Sequence, residues 1–226
     1  KSGAIIFDGG SSSEDQVGRY RILPYMKYLG YQKIQIAVIS HMDIDHYSGI
    51  KELLEMGKIK YLGLPEIPKD ETMKKIIGIA KKRGTTIFYL SRGRQITTKD
   101  GSLKVLHPQK NSQMEKNAAS LVMQGKILGY RVLLTGDVEK EGEEELLSEE
   151  LERADILKAA HHGSKNSTSN EFLQKVQPKQ TVISCGKQNR YGHPHLETIH
   201  RLQTYRTKIY RTDRSGAIIF FKRRDG

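Results

Sequence analysis

Six of the eight histidines of this 226-residue chain sit in three short polar stretches, each following an apolar, strand-like run. The densest stretch is Ser40-His41-Met42-Asp43-Ile44-Asp45-His46-Tyr47-Ser48-Gly49, with four ligand-type side chains within six residues. Two imidazoles and two carboxylates packed this closely carry a large desolvation cost unless a cation compensates them, so the pattern points to metal binding rather than to a polar cap on the next helix. Leu133-Leu134-Thr135-Gly136-Asp137 delivers one more carboxylate at a strand end, where an Asp also serves as an ordinary N-cap. In Ala159-Ala160-His161-His162-Gly163-Ser164 the adjacent histidines of an extended segment would diverge, so one of His161 and His162 faces any given site, and His161, first after the strand, is expected to be the ligand. In Gly192-His193-Pro194-His195 the proline fixes the backbone, and His195 either joins the site or simply opens a helix. Asp8 is either an orienting carboxylate behind the ligands or a turn residue before Gly9-Gly10, and His107, His200 and Cys185 are read as structural.

Placing these residues at the ends of strands requires a chain that alternates strands and helices. Apolar, β-branched runs predict strands over residues 4–7, 34–39, 59–64, 85–90, 95–98, 103–106, 120–124, 131–135, 156–160, 180–184, 208–210 and 217–221. Helical spacing predicts helices over residues 17–29, 47–56, 73–83, a Glu-rich one ending near 151, 170–176 and 195–205. The run Glu143-Glu144-Glu145 is expected on a solvated helix face. No linker divides the chain, so the expectation is an α/β protein forming a single domain over residues 1–226, with two packed sheets and helices on both outer faces.

Composition narrows the function classes. Charged residues make up 28% of the chain alongside a 36% hydrophobic fraction, which excludes disordered and collagen-like classes and leaves enough apolar residues for a core. The longest apolar run, residues 216–221, is far short of the ~20 residues of a membrane-spanning helix. Cys185 stands alone, so no internal disulfide partner exists. The opening at Lys1, close to a first strand, reads as a piece of a longer protein. Net charge is +12, and residues 179–226 hold eleven basic residues against three acidic ones. That asymmetry suits an anionic partner, most simply nucleic acid; the competing reading is a generic basic surface.

His41-Met42-Asp43-Ile44-Asp45-His46 resembles the His-x-His-x-Asp-His signature of the metallo-β-lactamase superfamily, with Asp43 at its second His. Phe7-Asp8-Gly9-Gly10, this variant motif, residues 117–121, Leu133 to Asp137, His161-His162-Gly163-Ser164 and Gly192 to His195, in this order, resemble the metallo-β-lactamase-like domain of ComEC competence proteins over nearly the whole chain. The resemblance implies an αββα four-layer sandwich and a di-metal hydrolase site. It implies a nuclease that degrades one DNA strand at uptake during natural transformation, held on the extracytoplasmic side of the cell membrane as a soluble domain joined to a membrane channel portion of the same polypeptide. On that footing Asp45, His46 and His161 hold one divalent ion, with His162 as the other candidate, His41 and Asp43 hold the second, and Asp137 bridges them. The ions are Mn²⁺ or Zn²⁺, with Mg²⁺ as a third option because a carboxylate replaces an imidazole. Such a pair activates water for attack on phosphorus, which makes Asp45 and Asp137 catalytic. His193 or His195 binds the phosphate or protonates the leaving oxygen, and Ser164, Lys165, Arg190 and the amides of residues 163–166 contact substrate. The chain departs from the superfamily pattern at Asp43 and near Asn117, where a further His would stand. Competing functions are a phosphocholine esterase or lactonase at the same site, and a noncatalytic DNA-binding module with structural metals; partners otherwise reduce to DNA bound without sequence preference.

Overall fold

The computed structural model describes residues 3–114, 117–149 and 151–222. The chain divides into two compact units: the described residues of Lys1–Ser91 with Gln109–Lys116, and those of Arg92–Pro108 with Asn117–Gly226.

The first unit is built on four parallel strands in the order β1 (Ala4–Phe7), β2 (Ile34–Val38), β3 (Ile59–Pro65), β4 (Thr86–Leu90). Parallel strands need crossover connections, and three helical segments supply them. They are a π-helical turn Gly18–Ile22 running into α1 (Leu23–Tyr28), then α2 (Ile44–Glu55) and α3 (Glu71–Lys82). Asp70 caps α3 by accepting the Met73 amide at 2.7 Å, and Met73, Ile76 and Ala80 form its buried stripe. That stripe packs in one cluster with Ile34, Ala37, Ile39, Ile50, Leu53, Leu54, Leu62 and Leu64. The Asp8-Gly9-Gly10 turn lies directly on α2: Gly9 N–H donates to the His46 carbonyl and Ile50 N–H to the Gly9 carbonyl. A Cβ at Gly10 would fall 2.6 Å from the Ile44 carbonyl and one at Gly49 2.7 Å from the Gly9 carbonyl, so only glycines allow this approach.

The second unit carries seven strands: β5 (Gln95–Thr98), β6 (Gly101–His107), β7 (Val122–Ile127), β8 (Tyr130–Leu134), β9 (Ile156–Lys158), β10 (Gln180–Ile183) and β11 (Lys208–Arg211). Their spatial order follows the sequence, antiparallel from β5 to β8 and parallel from β8 to β11. The switch follows from the connections. Leu128 and Gly129, both at positive φ, close a two-residue hairpin between β7 and β8, whereas the later strands are joined through α4 (Lys140–Leu147), α5 (Asn170–Val176) and α6 (Leu196–Thr204). Leu133, Val138, Leu146, Leu157, Phe172, Leu173, Val176, Ile183 and Leu202 form its core.

Most predicted elements are present within a few residues, with two differences that matter. Helix α2 begins at Ile44 rather than 47, so Asp45 and His46 lie in its first turn and not in a loop. Residues 217–221 form no strand; after a short α7 (Thr212–Ser215) the Phe220 ring packs edge-on against Tyr210 and tilted against Tyr130. Phe220 alone makes these ring contacts; Ile219 and Phe221 are exposed.

Candidate functional site

In the first unit, β2 leads through buried Ile39 and Ser40 to His41, and Asp43 takes the N-cap position of α2. Its backbone is extended, φ −91° and ψ 146°, yet its carboxylate makes no capping hydrogen bond, unlike the Asp70 carboxylate at α3 and the Ser169 hydroxyl at α5. The Asp43 Oδ2 lies 3.6 Å from His41 Nε2 instead. The rings of His41 and His46, each 1% exposed, stand 4.1 Å apart.

Asp8 organises both histidines. Held at φ 57°, its carboxylate accepts from the Ser40 amide at 2.7 Å, the Ser40 hydroxyl at 2.8 Å and His46 Nδ1 at 2.8 Å. A carboxylate only accepts, so His46 Nδ1 carries the proton and Nε2 keeps its lone pair. With the Ser40 proton committed to Asp8, the Ser40 oxygen accepts from His41 Nδ1 at 3.1 Å, and His41 Nε2 also presents a lone pair. That Nε2 is buried and has no hydrogen-bond partner among the described residues. Burial works to raise the Asp8 carboxyl pKa, but the charge of His46 when that ring is protonated, its hydrogen bond, the Ser40 amide and the charge of a protonated His41 hold it below the usual range. Asp8 thus contacts His46 directly and His41 through Ser40, while also opening the turn at Gly9-Gly10.

In the second unit, the Thr135 hydroxyl donates to the Lys158 carbonyl at 2.7 Å, tying the end of β8 to β9 and presenting Asp137, which is 3% exposed. Asp137 Oδ2 lies 3.2 Å from His162 Nε2, and Oδ1 lies 3.7 Å from the Lys158 ammonium. His162 Nδ1 donates to the Ser184 carbonyl at 2.6 Å, so in the neutral ring Nε2 has the lone pair. His161 is turned elsewhere, its Nδ1 on the Glu139 carboxylate at 2.8 Å. The geometry therefore puts His162 against Asp137, where His161 was expected. The expectation assumed an extended segment, but His161 and His162 are both left-handed, at φ 44° and 52°, inside a 3₁₀ turn Ala160–Gly163.

Left-handed non-glycine residues cost on the order of 1–3 kcal/mol each and persist only where the surroundings enforce them. The groups that hold the loop immediately after them are not evident from the sequence. Glu143, expected on a solvated face with Glu144 and Glu145, is buried, and its carboxylate accepts from the amides of Thr168 and Ser169. Burial pushes its pKa up against those hydrogen bonds. The Arg201 guanidinium donates to the carbonyls of Lys165, Ser167 and Thr168 at 3.0, 2.9 and 3.1 Å. The loop after the paired histidines is thus gripped by its amides on one side and its carbonyls on the other. Glu143 precedes buried Leu146 by three residues, which places it on the inward face of α4; this spacing was the available signal.

Other expected substrate contacts are engaged within the loop. Ser164 is buried, its amide donating to the His161 carbonyl and its hydroxyl accepting from the Asn166 amide. The Lys165 amide donates to His195 Nδ1 at 3.2 Å, while His195 holds the N-cap position of α6. Amides 164–166 therefore close the turn and do not form a phosphate cradle. The Lys165 and Arg190 side chains are exposed. His107 is a core residue whose Nδ1 donates to the Ser120 carbonyl at 2.9 Å, and burial lowers its pKa.

Burial, followed by repulsion from His161, His195 and His162, lowers the His193 pKa to about 4. A histidine that titrates lower folded than unfolded favours the unfolded state between the two pKa values. Its contribution is intact above about pH 6.5 and is lost as the pH falls toward 4. We expect the melting temperature of chelator-stripped protein to fall progressively from pH 7 to pH 4.5, with a shallower fall for His193→Gln. Equal falls in the two proteins would show that His193 does not drive it.

Each unit by itself offers donors that suit a divalent cation: in the first, His41 and His46 have Nδ1 anchored by an oxygen, with the Asp43 carboxylate beside His41; in the second, His162 has Nδ1 anchored likewise and meets the Asp137 carboxylate. Residues 1–187 match the Metallo-beta-lactamase superfamily, and the chain belongs to that superfamily, whose members are typically metal-dependent hydrolases. The fold agrees. The metallo-beta-lactamase fold protein YhfI from Bacillus subtilis superimposes with a TM-score of 0.57 over 92% of this chain and 82% of that chain, at 14% identity. Among sequence relatives, ComE operon protein 3 of Bacillus subtilis is 38% identical over 93% of this chain, and Competence protein ComA of Neisseria gonorrhoeae is 30% identical over 98%. Both are competence proteins of the ComEC family. The chain spans 27% and 30% of their respective lengths. No helix among the described residues is long and apolar enough to cross a membrane.

Proposed function

We propose that the chain is a metal-dependent phosphodiesterase that degrades one strand of DNA at uptake, with both units acting as one domain. It would work as the extracytoplasmic part of a longer polypeptide that includes a membrane channel. The observation that carries this reading is the buried Nε2 of His41, which has no hydrogen-bond partner among the described residues, is oriented through Ser40 by Asp8 and faces the Asp43 carboxylate. His41 and Asp43 would hold one divalent ion, and Asp45, His46 and His162 the other, with Asp137 shared. Bound there, the ions supply activation of water and neutralisation of charge at the phosphodiester. Asp8 and Ser40 hold His41 and His46 in the ligating tautomer, the Ser184 carbonyl does so for His162, and the Lys158 ammonium lies beside the charge of Asp137. The names of the two relatives support a place in competence.

Stripping metal with chelator and restoring Mn²⁺, Mg²⁺ or Zn²⁺ singly, against single- and double-stranded DNA, tests the reaction. Absence of cleavage with every ion would reject it. The binding of DNA is expected to be electrostatic and to involve the basic segment. Arg190→Glu should weaken binding and flatten the plot of log K against log salt by about 0.9 on duplex or about 0.7 on single strands for each phosphate that is no longer neutralised. Lys81→Glu, on the exposed face of α3, is the control. Equal weakening in the two variants would mean that net charge alone binds DNA.

A further inference from the structure

Four planar groups stand in line along the second unit. The His162 and His193 rings lie 6.2 Å apart with planes 21° from parallel, and His193 and Tyr191 lie 5.7 Å apart at 24°. On Tyr191 the Arg190 guanidinium sits 4.8 Å from the ring centroid. The inner end of this ladder is the imidazole that meets Asp137; the outer end is in solvent, with Tyr191 52% exposed. An exposed aromatic ring held in place is unusual, because a loop side chain gains nothing from order in water unless something keeps it there. Here the ring meets His193 and Arg190, and Asn189 ties the backbone of the loop that carries it: its Oδ1 accepts the His193 amide, while its Nδ2 donates to the carbonyls of His193 and Gly186. The loop is preorganised before any ligand arrives, which lowers the entropy lost on binding.

We infer that the Arg190–Tyr191 end of this ladder is a stacking platform for a nucleobase of single-stranded DNA, flanking the phosphodiester at Asp137 and His162. The inference rests on the nuclease reading above and sharpens its substrate to a strand with unpaired bases. Bases offer flat π faces to tyrosine and guanidinium planes alike, and only unstacked bases can do so. A quaternary ammonium headgroup is a poor occupant of the same place, because it would meet the like charge of the Arg190 guanidinium, whereas a base can stack on that guanidinium plane. A base beside a phosphodiester suits a basic loop, since Arg190 can meet both base and phosphate.

The test compares a single-stranded oligodeoxynucleotide with an oligomer of equal length and charge in which every base is replaced by an abasic site. Binding is followed by fluorescence anisotropy over a salt series, and cleavage is followed with Mn²⁺. Wild-type protein should bind the base-bearing oligomer about tenfold more tightly than the abasic one. Tyr191→Ala should bring that ratio close to one without altering the salt slope, because stacking releases no counterions. Tyr191→Phe should restore the ratio. If wild-type protein cleaves DNA but shows no base preference, or if Tyr191→Ala retains the preference, the platform is wrong and the nuclease reading stands. If wild-type protein neither binds nor cleaves either oligomer, the nuclease reading fails and the platform fails with it.

Discussion

Replacing Asp137 with alanine is expected to lower DNA hydrolysis by about 10³-fold or more, equivalent to about 4 kcal/mol of transition-state stabilisation, while the protein stays folded. The size of the loss follows from the proposed sharing of this carboxylate between two cations, so that its removal disturbs both. The survival of the fold follows from the surroundings of Asp137. Its amide hydrogen bond to the Ser120 hydroxyl does not involve the side chain, and the Lys158 ammonium left behind still donates to the carbonyls of Gly136 and Ala159 at 2.9 and 3.3 Å. The ammonium loses its ion pair with Asp137 but keeps both of these hydrogen bonds. Asp137→Asn keeps the shape without the charge and should lose nearly as much activity, which separates electrostatics from packing. Steady-state cleavage beside a thermal melt decides the matter, and an alanine variant that cleaves at the wild-type rate would end the proposed chemistry.

A second large effect is expected at a residue that touches no metal in the proposal. Asp8→Ala removes the acceptor for the Ser40 amide, the Ser40 hydroxyl and His46 Nδ1 together. Leaving such buried donors unsatisfied should cost about 3 kcal/mol of unfolding free energy. Metal affinity should fall by about 10- to 100-fold, because neither His41 nor His46 is then held in the tautomer that exposes Nε2. The acid dependence has a definite sign. The Asp8 pKa is depressed in the folded state, so its stabilisation is complete above the unfolded value near 3.8 and is lost as the pH falls through the lower folded value. That window lies below the one in which His193 acts. Calorimetric titration of Mn²⁺ or Zn²⁺ into wild-type and Asp8→Ala proteins, with denaturant melts of both, separates the two consequences. Unchanged metal affinity in a stably folded variant would remove Asp8 from the site.

The candidate donors were legible in the sequence because they come in short clusters. His41, Asp43, Asp45 and His46 occupy six consecutive positions, and Asp137 closes an apolar strand, so composition and local spacing were enough to single them out. The alternation of strands and helices was legible for a similar reason, since burial imposes periods of two and 3.6 residues on the chain itself. Boundaries drifted where polar residues serve a helix end. Asp45 and His46 look like loop residues until α2 is seen to start at Ile44. Residues 217–221 have the composition of a strand but no neighbouring strand to pair with.

What the sequence by itself determined was which residues can ligate a cation and which short elements carry them, since both depend on neighbours within a turn or a strand. Which nitrogen each imidazole presents was decided only by tertiary structure. The deciding acceptors are Asp8 at 38 positions from His46, and the Ser184 carbonyl at 22 positions from His162. The same holds for the exchange of His161 for His162, which depends on a left-handed turn, and for the grip of Glu143 and Arg201 on the loop that follows it. A proton on a ring nitrogen and a backbone held at positive φ are settled by groups distant in sequence and near in space, and no local pattern records them.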